Sequence, residues 1–252
     1  MASRYGELPL KRIRNSLSKM KFSSNEKVNF DDFAQDYDAI LQAQLQGFGE
    51  ESTYFAEYKV RLTQARLQRT ATSLPKTILE YGCGTGRNLP FLKLYFPDAK
   101  IEGCDISAES LRLAAQRAPD ATLYLLDKEV PQRQYDLIFV ACVFHHIAPE
   151  ARADALAQIH ALMKPGGELF IFEHNPYNPV TRHLVNTCPF DKDAVLLPPA
   201  ELLYRTRQAR FQLVEKNYVL FFPASLRIFR SLEAYLGWLP LGGQYYVRAR
   251  KV

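Results

Sequence analysis

The chain has 252 residues, 47% of them hydrophobic and 23% charged, enough apolar material for one large α/β core with modest extensions. No uninterrupted apolar run approaches the roughly 18 residues that a membrane-spanning helix needs, and the opening residues lack the apolar stretch and cleavage site of a secretory signal. The net charge of +5 sits in residues 1–22, where six cations oppose Glu7 alone. The rest of the chain is neutral and lacks the broad basic excess of a nucleic-acid-binding body.

Residues 1–22 form a basic leader in which Leu10, Ile13, Leu17 and Met20 recur at helical spacing. The pattern fits an amphipathic helix on an anionic membrane or partner, and equally a solvated terminus. Residues 23–75 read as helical, with one helix over FDDFAQDYDAILQAQLQ and a second over STYFAEYKVRLTQARLQRTATS. From residue 76 short apolar runs alternate with helical patterns. TILEYG, KIEGCD, ATLYLLD, YDLIFVA and GELFIFEH read as strands; NLPFLKLYF, AESLRLAAQRA and ARADALAQIHALM read as the helices between them. Such alternation predicts parallel strands joined by right-handed crossovers, the Rossmann-like doubly wound α/β sheet. Phe211–Val219 and Tyr245–Lys251 add two strands near the end. Segments at about 176–210 and 220–244 stand outside this rhythm. The second is rich in aromatic and aliphatic residues, and reads either as a core helix on the sheet edge or as part of an apolar pocket or membrane-facing surface.

Cys83, Cys104, Cys142 and Cys188 are scattered without paired spacing. They suggest neither a disulfide framework nor a metal site, and free thiols fit a reducing cytoplasm.

The chemistry starts at ILEYGCGTGRNLPF. Gly82, Gly84 and Gly86 follow a strand and precede a helix, with Glu80 just before them. Glycines allow a tight turn and close backbone approach to a ligand, and a helix start favours a carboxylate or phosphate. The dinucleotide fingerprint fails because Arg87 stands where its third glycine belongs, and no phosphate-loop lysine is present. Asp105, at the carboxyl end of the second strand, is placed to accept hydrogen bonds from ribose hydroxyls. Alternatively, Asp105 or Ser107 simply caps the helix that starts at Ala108.

With ILEYGCGTG, GCDIS, YDLIFVACVFHHI and MKPGGELFIFEH on the page, the chain resembles the class I S-adenosylmethionine-dependent methyltransferases. The resemblance implies a seven-stranded, mostly parallel sheet with an antiparallel last strand, preceded by an N-terminal helical cap over residues 23–75. It implies that the loop Gly82, Cys83, Gly84 and Gly86 faces the methionyl part of the cofactor, with Glu80 bracing the loop or meeting the amino group. Asp105 would hold the ribose, Ile106 would lie against adenine and Asp127 near its amino group, and Ala141 and Cys142 would line the methionyl side. The product would be S-adenosylhomocysteine. Arg87 is free to pair with the cofactor carboxylate, to pair with Glu80 or to face solvent.

Candidates for a general base are His145 and His146, in VFHHIAPE after the fourth strand, and His174 at the end of the fifth. Either ring of the His–His pair also fits a packing or capping role. Phe190, Asp191 and Asp193 are candidate substrate contacts in a lid segment, and no metal cluster is evident. These features favour transfer to oxygen on a small-molecule or lipid-linked acceptor. An RNA-modifying enzyme and a cofactor-binding accessory protein without catalysis are the alternatives.

Overall fold

The computed structural model describes residues 28–45, 49–70, 73–129, 131 and 133–252. The basic leader and Gly47 lie outside them. Three helices open the described chain: α1 (Phe30–Phe33), α2 (Tyr37–Leu45) and α3 (Ser52–Thr70). Then follow β1 (Thr77–Tyr81), α4 (Leu89–Tyr95), β2 (Lys100–Asp105), α5 (Ala108–Arg117), β3 (Thr122–Leu125) and β4 (Tyr135–Ala141). The remainder comprises α6 (Arg152–Leu162), β5 (Met163–His174), α7 (Pro179–Thr187), α8 (Pro199–Gln208), β6 (Phe211–Val219), α9 (Glu233–Leu236) and β7 (Gln244–Lys251). Among the described residues no helix is long and apolar enough to cross a membrane.

The strands form one seven-stranded sheet in the order β3-β2-β1-β4-β5-β7-β6. The pairs among β1 to β5 are parallel, whereas β7 runs antiparallel to both β5 and β6. This is the doubly wound sheet with an antiparallel last strand expected from the sequence. Strands buried on both faces read as continuous apolar runs, and Ile78, Leu79, Leu137, Ile138, Phe139 and Val140 are all fully buried. One apolar layer packs Leu156, Ile159 and Leu202 of α6 and α8 against the sheet; the other packs Val60, Leu67, Leu92 and Leu111 of α3, α4 and α5. Each such aliphatic side chain contributes roughly 2 kcal/mol on burial, so α3 belongs to the core even though its sequence precedes the strand–helix alternation.

Three expectations change. The first predicted helix breaks between Phe33 and Tyr37, because α1 is held by contacts distant in sequence. Asp31 accepts from Ser107 Oγ at 2.5 Å and from Glu109 N at 3.1 Å, the start of α5, while Tyr37 stacks on Phe190 at 4.6 Å. The fifth strand begins earlier than GELFIFEH, since Met163 already pairs with Tyr135 and the register then shifts before Leu137 meets Glu168. Gly166, at φ +76°, and Gly167, whose missing Cβ leaves Lys164 O and Tyr135 O room at 2.9 and 3.0 Å, make that bulge feasible. The segment between β6 and β7 is not a core helix: its 3-10 turn Ala224–Leu232 and α9 bury no residue.

Arg152, at the start of α6, fastens the turn after β4 to the later segments. Its Nε donates to Phe144 O and Ile147 O at 3.1 Å, Nη2 donates to Val195 O at 2.5 Å, and Nη1 pairs with Glu201 at 3.1 Å. The side chain is almost wholly buried. Arg152→Met should cost about 3 kcal/mol by removing the side-chain donor to Ile147 O and Val195 O, whereas Phe144 O keeps Ile147 N and Glu201 keeps Arg205; urea denaturation checks this, and an unshifted midpoint would refute it.

Candidate active site

The glycine loop is a close-packed turn. Gly82 N and Cys83 N both donate to Cys104 O, at 2.8 and 3.0 Å, tying the loop to the end of β2. Gly82 and Gly86 have φ of +74° and +76°, and a Cβ would strike Val143 at the first and the Ala114 backbone at the second. Gly84 differs: φ is +51°, yet a Cβ there meets nothing within 4 Å. Its glycine character serves the turn and leaves open space above the loop for a ligand.

Below the loop, Glu80 is buried. Its Oε1 accepts from Asn88 Nδ2 at 2.6 Å, but Oε2 has no partner. Burial pushes its pKa up to about 8, against the opposing hydrogen bond from Asn88. A buried carboxylate oxygen without a donor fits an arriving ammonium group. Asp105 accepts from Gly84 N at 2.7 Å and Ser107 N at 2.9 Å, one on each oxygen, which leaves lone pairs for a further donor. The helix cap is Ser107, which accepts from Ser110 N at 3.0 Å. Ile106 beside it is half exposed, and Asp127 is exposed in the turn after β3, where the preceding Leu126 N donates to Asp105 O at 2.9 Å.

Ala141 and Cys142 follow β4, and Cys142 holds φ of +60°, a strained value for a side chain with a Cβ. They line a cavity of about 370 Å³ together with Arg87, Asn88 and His174. The cavity continues along Tyr37, Leu184 and Phe221, so cap, α7 and the segment after β6 share its wall. Arg87 pairs with Asp38 rather than Glu80: its Nη1 lies 3.6 Å from Asp38 Oδ1 and is buried without a hydrogen bond. Lys59, on α3, is another cation in this wall. It is buried, donates to Phe55 O at 3.1 Å, and has its pKa lowered by burial.

The histidines form one cluster around two carboxylates. Glu173 Oε1 accepts from Val143 N and Phe144 N at 3.0 and 2.7 Å, while Oε2 lies 2.7 Å from His145 Nδ1. Asp191 Oδ1 stands 3.8 Å from His145 Nε2 and 3.3 Å from His146 Nε2. Burial opposes charge on His145, but Glu173 and Asp191 outweigh it and raise its pKa to about 9. His174, its ring 4.9 Å from that of His145, is pushed down to about 4 by burial and then by the His145 charge. His146 falls well below the ordinary value for the same two reasons. The donor atoms of His145, His146 and Asp191 lie within 4.8 Å of one another. His145 Nδ1 is tied to Glu173 Oε2, so the grouping forms an acid–imidazole network.

A methyltransferase-domain family model matches residues 79–169, the span holding the glycine loop, Asp105 and both adjacent histidines. Residues 79–169 thus carry a methyltransferase domain, set in the sheet of the S-adenosylmethionine-dependent methyltransferase fold. A trans-aconitate 2-methyltransferase from an Azoarcus strain is 29% identical over 137 residues, covering 54% of this chain and 53% of that protein. A demethylmenaquinone methyltransferase from Chlorobaculum parvum is 29% identical over 69% of this chain and 70% of its own length. The chain thus spans about half the length of the first of these relatives and more of the second. Among solved structures, the plantazolicin methyltransferase BpumL in complex with S-adenosylhomocysteine superposes with a TM-score of 0.60 at 16% identity, covering 96% of this chain and 99% of that one, which shows the shared fold. S-adenosylmethionine is the family's cofactor, and the unpartnered Glu80 oxygen, the open face of Gly84 and the spare lone pairs of Asp105 suit its ammonium, backbone and ribose.

Sequence reasoning missed Glu173, Lys59 and Tyr37. Glu173 was hidden beside His174 in a strand, and Lys59 and Tyr37 in helices read as cap surface. A lone lysine at a helical core position was the only signal available.

Asp105→Ala should weaken S-adenosylmethionine binding roughly 10- to 100-fold, the loss of one or two charge-assisted hydrogen bonds; calorimetry measures it, and unchanged affinity would remove Asp105 from the ribose site. The His145 pair makes stability pH-dependent. Its folded pKa of about 9 lies above the unfolded value, about 6.5. The contribution is therefore complete below about pH 6.5 and is lost as pH rises through about 9. Unfolding free energy should fall across that window in the wild type, and more shallowly in Glu173→Gln; parallel slopes in the two proteins would contradict the pairing.

Proposed function

We propose that the chain transfers a methyl group from S-adenosylmethionine to an oxygen of a small-molecule or lipid-linked acceptor, with His174 as general base. The observation that carries this reading is that His174 and the methionyl-side residues Ala141, Cys142 and Arg87 line one cavity with the same largely apolar wall. Its volume, about 370 Å³, suits a small acceptor or the reacting end of a longer one. When bound, the cofactor supplies an electrophilic methyl carbon on a sulfonium. Displacement at such a carbon asks the protein mainly to position and desolvate the acceptor.

His174 is suited to take the acceptor's proton. It lines the cavity, and burial, then the charge on His145, keep it neutral. His145 is already protonated and has no lone pair to offer, so its part is to orient and bias its neighbours. His146 packs against Phe30 at 4.9 Å and does not line the cavity, which supports a packing role over a catalytic one. Glu80 and Arg87 are the residues for the cofactor's amino and carboxylate groups, Asp105 for its ribose, and Ile106 for its adenine. Lys59 adds positive potential for an anionic group. RNA is the weaker acceptor class: of the clustered arginines, Arg205 is paired with Glu201 at 2.7 Å, and the body is neutral overall.

Labelled methyl transfer into fractionated cell extract tests the acceptor class. Label in small-molecule or lipid fractions is expected; label in RNA overturns the reading, and none in any fraction leaves a cofactor-binding protein without transfer. His174→Ala should lower turnover by roughly 10²- to 10⁴-fold while cofactor affinity stays within a few-fold. The wild-type rate should stay flat on the acid side until pH approaches the His174 value of about 4, without a step at the ordinary imidazole pKa. Full activity in the variant would exclude His174 as the base.

A further inference from the structure

In the segment between β6 and β7, Arg230 and Glu233 turn inward while several large apolar side chains turn outward. Arg230 Nη2 pairs with Glu50 at 2.5 Å, and its guanidinium lies 4.5 Å over the Tyr54 ring. Glu233 accepts from Phe221 N and Phe222 N at 3.0 and 3.1 Å. Gly237 O accepts from Tyr218 N at 2.8 Å. The segment is thus fastened to the body, yet Ile228 and Tyr235 are each 77% exposed and Trp238 is 72% exposed, with Leu226, Phe229 and Leu232 exposed beside them. A surface helix in water normally shows the opposite arrangement. The start of α7 continues the face: Asn178 Nδ2 donates to Leu241 O at 2.7 Å, and Tyr177, Val180 and Leu241 are exposed there.

We propose that this face, Tyr177–Val180 with Leu226–Leu241, docks on an anionic lipid bilayer. Charge decides among the occupants. Residues 175–190 contain no acid, and residues 220–244 contain only Glu233, which is turned inward; Arg182 and Arg227 are exposed. A second copy placed symmetrically on the face would bring like charges together. The leader, residues 1–22, is itself strongly basic and would be repelled. An anionic headgroup layer complements the arginines, and the exposed Tyr177, Tyr235 and Trp238 are the residue types that settle at a membrane–water interface. Val180, Thr181, Phe222 and Arg230 also line the cavity, so its rim belongs to the docking face and an acceptor's apolar tail would pass from bilayer to cavity without crossing water. The inference concerns binding alone and does not depend on the methyl-transfer reading.

Trp238 is the sole tryptophan of the chain and is exposed on the face, a native probe of its contacts. The full chain mixed with vesicles of phosphatidylcholine and phosphatidylglycerol should show blue-shifted emission, quenched when the acyl chains carry bromine. Ile228→Asp combined with Tyr235→Asp should lower the partition coefficient by about tenfold or more. The proposal is overturned if the protein sediments with vesicles while Trp238 stays unquenched, which would assign binding to another part of the chain. It is overturned equally by undiminished partition of the double variant, by equal partition onto phosphatidylcholine alone, or by a lipid-free emission shift that tracks dimer formation. Quenching in the wild type keeps the test decisive even if the double variant folds poorly.

Discussion

The carboxylate of Glu173 is the constraint on which the site depends. It sits at the end of β5, fully buried, and one oxygen takes two backbone N–H groups from the turn after β4. Those donors would otherwise be orphaned in the sheet's interior, where each costs about 1–3 kcal/mol. The other oxygen holds His145, whose charge adds to the effect of burial in keeping His174 neutral. One side chain therefore joins the geometry of the fourth strand's exit to the protonation of a cavity-facing imidazole on the fifth. Burial alone would push Glu173 towards the neutral acid, but His145 and the two amides more than offset it. The Glu173–His145 ion pair is sustained because both carboxylate oxygens of Glu173 are hydrogen-bonded.

A second set of contacts closes the structure over the cofactor end of the sheet. Asp31 holds the start of α5, Asp38 meets Arg87 and Arg117, Phe30 abuts His146, and Tyr37 stacks on Phe190. The cap is thus bound to the glycine-loop side and to the segment after α7 at once. It brings Lys59 and Tyr37 into the cavity wall. Exposed ion pairs such as Asp38–Arg117 contribute little individually; the aromatic contacts and the buried face of α3 carry more of the attachment.

The parts legible in the sequence were those governed by local pattern. Thr77–Tyr81 and Leu137–Val140 read as strands because Ile78, Leu79 and the run Leu137–Val140 are apolar, as parallel strands covered on both faces require. The glycines declared themselves because a turn with φ of +74° and +76° tolerates little else. What escaped were properties of pairs distant in the chain. Asp105 and Ser107 were equivalent as caps until Ser110 N was seen to donate to Ser107 Oγ. The break in the first helix comes from Asp31 reaching α5, and no propensity encodes that. The stretch Leu220–Trp238 looked like core by composition, and hydrophobicity alone cannot say which way a side chain faces when Arg230 and Glu233 have partners on the inner side.

The division of the cavity wall explains why kinship identifies the donor more readily than the acceptor. Ala141, Cys142, Arg87 and Asn88 fall within the matched span, residues 79–169. Tyr37, Lys59, Leu184 and Phe221 come from elements before or after it. The two halves also differ in kind. Lys59 lies near Cys142, Arg87, Glu80 and Glu173, so charged groups gather at the end next to the glycine loop. Leu184, Val185, Phe221 and Phe222 supply an apolar stretch from α7 and the chain after β6. A desolvated ammonium and an unpartnered guanidinium nitrogen are costly until an anion meets them, whereas apolar walls give no such direction. A ligand with a charged head and an apolar body is therefore oriented by the cavity itself, head towards the loop. Changes in α7 or in the segment after β6 alter the apolar stretch without disturbing the charged groups beside the glycine loop.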